Sequence, residues 1–100
     1  MARYRLSRAA SDDISHIFLD GLTRFGLAQA DRYHAGMAAV FDFLADYPQA
    51  ARLREEIRPP VRAHPYRSHL ILYDIMDDGW ILILRVRHGR EDWQDEYPTV

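Results

Sequence analysis

The densest group of side chains that could bind a ligand or do chemistry lies near the C-terminus. Arg85 and Arg87 are two positions apart, so on a strand they project from one face. Each guanidinium is a planar fork that suits a carboxylate or a phosphate. The segment is either a solvated strand end or a partner site, and Arg and Trp are frequent anchors of such sites. The residues that we predict to form the partner site are Arg87, His88, Arg90 and Trp93.

The remaining chemistry-bearing residues show no arrangement typical of a catalytic or metal site. The five histidines have neither the HxH nor the HExxH spacing. No serine lies in a nucleophile elbow, and no glycine-rich loop could cradle a phosphate. The sequence therefore predicts no metal and no cofactor.

Composition excludes further classes of protein. The chain has 100 residues and no cysteine, which rules out disulfide frameworks, thiolate zinc sites and cysteine nucleophiles. A net charge of −2 argues against a protein that coats DNA by bulk charge. No apolar run approaches the roughly 20 residues of a membrane helix, and the N-terminus lacks the apolar stretch of a signal peptide. We expect one domain over residues 1–100, in the cytoplasm.

Two amphipathic helices must position these residues. After a short strand at residues 4–6, Ser7 is a good N-cap, and apolar residues recur at helical spacing up to Gly26. A second helical pattern follows at once and ends before Pro48. Helices joined by so short a break fold back antiparallel, and a sheet must cover their apolar stripes. This predicts an α+β fold with the order β-α-α-β-β-β and a small antiparallel sheet.

The last two strands are predicted at residues 69–76 and 80–88, with Asp78-Gly79 as a two-residue turn. Between the second helix and these strands, residues 49–60 are predicted to be a loop with one possible helical turn. A short strand at 61–64 and a turn at 65–68 follow. The two-residue turn would place Tyr73 opposite Leu84, with their face packed on the helices. We expect Phe18, Phe41, Tyr73 and Leu84 all to be buried between the helices and the sheet.

The opposite face of this hairpin would then be unusually apolar. Such a patch is either covered by residues 49–60 or by the tail, or it binds a partner. A register shift by one residue would exchange the two faces, so the prediction depends on the turn. The residues predicted to bind a partner on this face are Leu70, Leu72, Ile81, Ile83, Arg85 and Arg87.

Taken in order, the segments resemble the ParE toxins of type II toxin–antitoxin systems, in the RelE/ParE superfamily. The opening YRLSRAA with DISHI is similar to the first strand and helix of that family. RFG with QA and Tyr33 is similar to its helix–helix junction, and HLILY with ILRVRHGREDW to its last hairpin. The resemblance covers residues 3–93.

This resemblance implies a toxin that arrests growth by poisoning DNA gyrase without enzymatic activity. A ParD-type antitoxin would neutralise it, and DNA would be contacted only through the antitoxin. The apolar hairpin face becomes the expected antitoxin site, and the Arg87 to Trp93 segment the expected target site. The alternative is a RelE-like endoribonuclease that cleaves mRNA on the ribosome. Its candidate residues are Tyr73, Arg85, Arg87, His88 and Arg90.

Overall fold

A computed structural model describes residues 3–89 and contains two helices and five strands. The elements are β1 (Tyr4–Leu6), α1 (Arg8–Phe25), α2 (Leu27–Asp46), β2 (Leu53–Arg54), β3 (Val61–Tyr66), β4 (His69–Ile75) and β5 (Ile81–His88). The sheet order is β1-β5-β4-β3-β2, so β1 lies beside β5. The predicted α+β fold, with two helices packed on a sheet, is confirmed. The sheet is mixed rather than antiparallel, because β1 runs parallel to β5 across the long crossover that such a pair requires.

The helical hairpin forms as predicted. The Ser7 hydroxyl accepts a hydrogen bond from the Ala10 amide at 3.0 Å and donates one to the Leu84 carbonyl at 2.7 Å. Ser7 therefore caps α1 and joins it to β5. Gly26 alone separates the helices and adopts φ +89°, a conformation that costs other residues more than glycine.

The main core lies between the helices and one face of the sheet. Phe41 and Tyr73 are buried there, as predicted, together with Met37 and Leu44. Phe18 and Leu84, which were predicted to join them, are only partly buried. Leu84 packs instead against a second cluster on the opposite face of the sheet.

The turn between β4 and β5 is one residue longer than predicted. The Met76 amide donates to the Trp80 carbonyl at 2.7 Å, and the Gly79 amide donates to the Met76 carbonyl at 3.0 Å. The loop is therefore Asp77-Asp78-Gly79, with Gly79 at φ +90°, a three-residue geometry that also suits Asp-Gly.

A bulge restores the predicted register farther along the hairpin. Next to the turn, Tyr73 pairs with Ile83, not with Leu84. The register shifts between Leu72 and Tyr73, and beyond that point Leu72 pairs with Arg85 as the two-residue turn requires. The predicted pairing is thus wrong near the turn and right at the open end.

This shift overturns the predicted apolar partner surface. Ile81 and Ile83 belong to the core under the helices and have no exposed area. Leu72 is also fully buried, on the other face, where it packs with Ile57 and Val61. The alternative that residues 49–60 cover this face is confirmed. Of the four apolar residues predicted to bind a partner, only the half-buried Leu70 keeps part of its surface open.

Segment 49–60 also differs from the predicted loop. Leu53 and Arg54 form β2 and pair with Arg62 and Val61, in place of the helical turn. The strand β3 continues through Pro65 and Tyr66, so the following turn is shorter than predicted. Across residues 3–89, neither helix has the length and apolar character needed to cross a membrane.

Candidate functional site

A cleft of about 620 Å³ lies where the helical hairpin meets the open end of β4 and β5. The apolar part of its lining comes from both helices: Ile14, Ile17, Phe18, Phe25, Ala30 and Met37. Its polar part contains four of the five histidines: His16, His34, His69 and His88. Clefts of this size with an apolar lining and a few converging polar groups are typical binding sites.

The strands bring two of these histidines into contact. His69 and His88 are directly opposite across β4 and β5, and their ring centroids are 5.4 Å apart at an interplanar angle of 72°. The Tyr33 hydroxyl lies 2.7 Å from Nδ1 of His69, which links α2 to the pair. Burial raises the pKa of Tyr33, so its hydroxyl keeps its proton near neutral pH.

Tyr66 holds Tyr33 in place. The two rings pack with centroids 5.0 Å apart, and the Tyr66 hydroxyl donates to the Tyr33 carbonyl at 3.0 Å. Gly36 makes this approach possible, because a Cβ atom at that position would collide with the Tyr66 hydroxyl. The glycine in α2 therefore positions the polar end of the cleft.

Beside the cleft, an ion pair fixes α1 to β5. Nε and Nη2 of Arg85 donate to the two carboxylate oxygens of Asp13 at 2.8 and 2.9 Å, and the Val86 amide donates to the same carboxylate at 3.0 Å. Burial alone would raise the pKa of Asp13. The hydrogen bonds from Arg85 and Val86, with the charges of Arg85 and Arg87, outweigh it and hold that pKa below its usual value.

Tyr73, a candidate of the nuclease hypothesis, is a structural residue. Its side chain has no exposed area, and its hydroxyl donates to the Pro48 carbonyl at 2.7 Å. It also lies 3.4 Å from the Ala51 amide, which donates to it. Burial raises the pKa of this phenol, so it anchors the segment after α2 instead of facing solvent.

The structure separates the predicted partner residues. His88 lines the cleft, Arg85 is paired with Asp13, and Arg87 is half-buried on β5. Arg90 and Trp93 lie outside the described residues. The contribution of Leu70, Arg85 and Arg87 to a partner interface stays a prediction.

Sequence reasoning missed Tyr33, His34 and the pairing of His69 with His88. The histidine pair had a signal, because the two-residue register extended to the open end of the hairpin places His69 opposite His88. No sequence signal pointed to Tyr33 or His34, because their approach to the open end of β4 and β5 depends on how the helical hairpin packs on the sheet.

A second groove, of about 740 Å³, lies at the C-terminal end of α2. It is lined mainly by apolar atoms and includes Phe43, Tyr47 and Ile75. Asp46 and Tyr47 are its titratable groups among residues 3–89. Nowhere in residues 3–89 are three side chains arranged to hold a metal ion. The histidine-lined cleft is therefore the stronger candidate site.

Comparison with known proteins agrees with this fold and with the resemblance seen in the sequence. Residues 4–93 match the family described as the ParE toxin of the type II toxin–antitoxin system parDE. Toxin ParE1 of Mycobacterium tuberculosis (strain H37Rv) is 34% identical over 91% of this chain and 93% of its own. Toxin ParE1 of Caulobacter vibrioides is 31% identical over 88% and 90%.

Among solved structures, a chain of the chromosomal ParDE system from P. aeruginosa has the same fold. Its TM-score is 0.73 at 20% identity, over 88% of this chain and 96% of that one. The fold and the sequence relatives agree. The chain belongs to the ParE toxin family of type II toxin–antitoxin systems.

Proposed function

We propose that this toxin stops growth by binding DNA gyrase, without cleaving a substrate, and that a ParD-type antitoxin neutralises it. Membership of the ParE family supports gyrase as the target. The related fold found in a ParDE system supports a ParD-type partner. A cytoplasmic location belongs to the same proposal.

The contacts of the nuclease candidates favour binding over cleavage. General acid–base catalysis needs side chains that can reach the scissile phosphate. Tyr73 is buried and hydrogen-bonded to the main chain, and Arg85 is engaged with Asp13. Two of the residues needed by the endoribonuclease alternative thus have structural roles.

The histidine-lined cleft is the observation that carries the antitoxin part of the proposal. Among residues 3–89, the acidic side chain that lines the cleft is that of Asp20. Its carboxylate forms an ion pair with Arg24 at 3.0 Å. The cleft therefore offers apolar atoms and the exposed imidazoles of His16 and His34 to an incoming segment. An amphipathic segment with acidic side chains fits this chemistry, with its apolar face on Ile17 and Met37.

This placement also supplies a way to neutralise the toxin. We assign target binding to the end of β5 and the residues after it, from Arg87 to Trp93. His88 belongs to that segment and also lines the cleft. A segment docked in the cleft would cover His88 and compete with the target for the same end of the sheet.

The test is supercoiling of relaxed plasmid by purified gyrase, beside primer extension on mRNA from cells that express the toxin. We expect the toxin to inhibit supercoiling, the antitoxin to restore it, and the mRNA to stay intact. Intact supercoiling with discrete cuts in translated mRNA would reject gyrase and favour the endoribonuclease.

A further inference from the structure

We propose that the groove at the C-terminal end of α2 is a second docking surface, which binds a basic segment of a partner protein that carries an apolar anchor. This groove lies at the turn end of the β4–β5 hairpin, whereas the histidine-lined cleft lies at the open end. The inference therefore does not depend on the antitoxin role proposed for the cleft.

Exposed aromatic side chains form one wall of the groove. Phe43 is 44% exposed and Tyr47 is 62% exposed. They are one helical turn apart, and their ring centroids lie 5.3 Å from each other. Pro48 and Ile75 add apolar atoms from the segment after α2 and from β4. Exposed aromatic and apolar groups that gather in one groove are typical of an interaction surface.

Hydrogen bonds hold this groove in shape before any partner binds. The Ala50 amide donates to the Tyr47 carbonyl at 2.9 Å, which closes the turn after α2. The buried Tyr73 donates its hydroxyl hydrogen to the Pro48 carbonyl at 2.7 Å and so ties that turn to the sheet. A partner therefore loses little affinity to the ordering of the toxin.

Carboxylates surround the groove and determine which partner fits. Exposed aspartates line it or lie within two residues of its lining along the chain: Asp42, Asp46, Asp74, Asp77 and Asp78. The C-terminus of α2 adds the negative end of the helix dipole, and its last turn contains no basic side chain. A cation from a partner would supply the charge that Lys or Arg often provides at such a position.

The cations that the toxin itself places at this end are engaged in other contacts. Arg5 pairs with Asp78 at 3.0 Å. Nη1 of Arg62 donates to the Ala51 carbonyl at 2.6 Å. Within residues 3–89, the ion pairs leave the aspartates at the end of α2 without a partner. The groove is therefore apolar inside and negative at its rim.

Lysine and arginine are the side chains that fit this rim, because they pair with carboxylates and also bind the faces of aromatic rings. An apolar residue beside them would pack between α2 and the β4–β5 turn. An acidic segment of the kind that suits the histidine-lined cleft would be repelled here. The two surfaces therefore select segments of opposite charge, and no residue of 3–89 lines both.

The probe is a short fluorescein-labelled peptide in which lysine and leucine alternate. Two companion peptides replace its lysines with glutamate or its leucines with serine. We expect fluorescence anisotropy to show that the purified toxin binds each companion at least about tenfold more weakly than the lysine–leucine peptide. Raising the salt from about 0.05 to about 0.5 M should weaken the binding, because salt screens the charges.

Variants test whether the peptide binds in the groove. Tyr47→Ser and the double variant Asp46→Asn/Asp77→Asn change exposed side chains and should each weaken binding by about tenfold or more. Asp12→Asn/Asp31→Asn is the matched control, since it removes two charges from exposed positions outside the groove. The affinity of this control should stay within about twofold of the wild type.

A further variant, His16→Ser/His34→Ser, changes the histidine-lined cleft and should bind the peptide as the wild type does. Melting curves report folding, and the double aspartate variant decides the outcome if Tyr47→Ser does not fold. No binding to the folded wild type, or equal binding of a companion peptide, would overturn the inference. So would full affinity of the aspartate variant, an equal loss in its matched control, or a loss in the histidine variant.

Discussion

The carboxylate of Asp13 joins α1 to β5. Its two oxygens accept hydrogen bonds from Nε and Nη2 of Arg85 and from the Val86 amide, and the Asp13 side chain is 13% exposed. We predict that Asp13→Asn lowers the free energy of unfolding by about 2–3 kcal/mol at pH 7, because it removes the negative charge that binds a partly buried guanidinium. Urea denaturation measures this.

Asp20→Asn is the control for that prediction. Asp20 also pairs with an arginine, Arg24, but both side chains are more than 60% exposed. We expect a change within about 0.5 kcal/mol. Equal stability of Asp13→Asn and the wild type at pH 7 would contradict the role given to Asp13.

The same pair has a defined pH dependence. The pKa of Asp13 is lower in the folded protein than in the unfolded chain, so its contribution is complete above the unfolded value of about 3.9. It is lost as pH falls through the folded value. The stability gap between wild type and Asp13→Asn should therefore be constant from pH 7 to 5 and shrink below about pH 4. A gap that grows on acidification would refute this.

At the scale of elements, the two helices and the strands other than β2 were predictable because their signals are local. Ser7 and Gly26 mark helix ends by hydrogen bonding and backbone freedom, which a sequence displays directly. The length of the β4–β5 turn was not predictable, because Asp78-Gly79 suits a three-residue loop as well as a two-residue loop. The one extra residue in the loop places Ile81 and Ile83 in the core, not on the predicted partner surface.

No local sequence pattern could predict which segment covers Leu72. Ile57 lies in a charged segment with no periodicity, and it reaches the sheet only because β2 pairs with β3. The sequence offered this cover as one of two alternatives and had no means to choose. Patterns of burial on the outer face of a sheet depend on such contacts between distant segments.

Gly36 lowers the intrinsic stability of α2 but leaves room for the Tyr66 hydroxyl, which holds Tyr33 at the cleft. Alanine is intrinsically better than glycine in a helix by roughly 0.8–1 kcal/mol. We nevertheless predict that Gly36→Ala destabilises the protein, because the new Cβ would displace the Tyr66 hydroxyl from the Tyr33 carbonyl. In a Tyr66→Ala background the same change should stabilise, and thermal unfolding of the four variants measures the reversal.

Gly21→Ala is the matched control in α1. A Cβ there would meet only the Ala30 side chain at 3.8 Å and its Cα at 4.0 Å, which are ordinary contacts. We expect it to stabilise the protein by up to about 1 kcal/mol. A stabilising Gly36→Ala in the wild-type background would show that Tyr66 moves aside at little cost.

At the scale of the whole molecule, the fold places the histidine-lined cleft and the end of β5 at one edge. His88 was predicted as a site residue and does line the cleft. Its partners could not be predicted, because Tyr33 and His34 come from a helix that approaches only when the hairpin packs on the sheet. One segment docked at this edge would thus affect residues that are far apart in the sequence.

Target binding gives the last prediction. We expect Arg87→Ala, Arg90→Ala and Trp93→Ala each to raise the toxin concentration needed to inhibit gyrase by roughly tenfold or more, as loss of an interface anchor does. Arg32→Ala is the control, since Arg32 is an exposed arginine on α2 and lies outside the cleft lining. Supercoiling assays report the inhibition, and melting curves confirm that each variant is folded. If all three folded variants inhibit as the wild type does, the gyrase site lies elsewhere, and the exposed side chains Leu19, Phe25 and Leu27 around the helix junction become the surface to test.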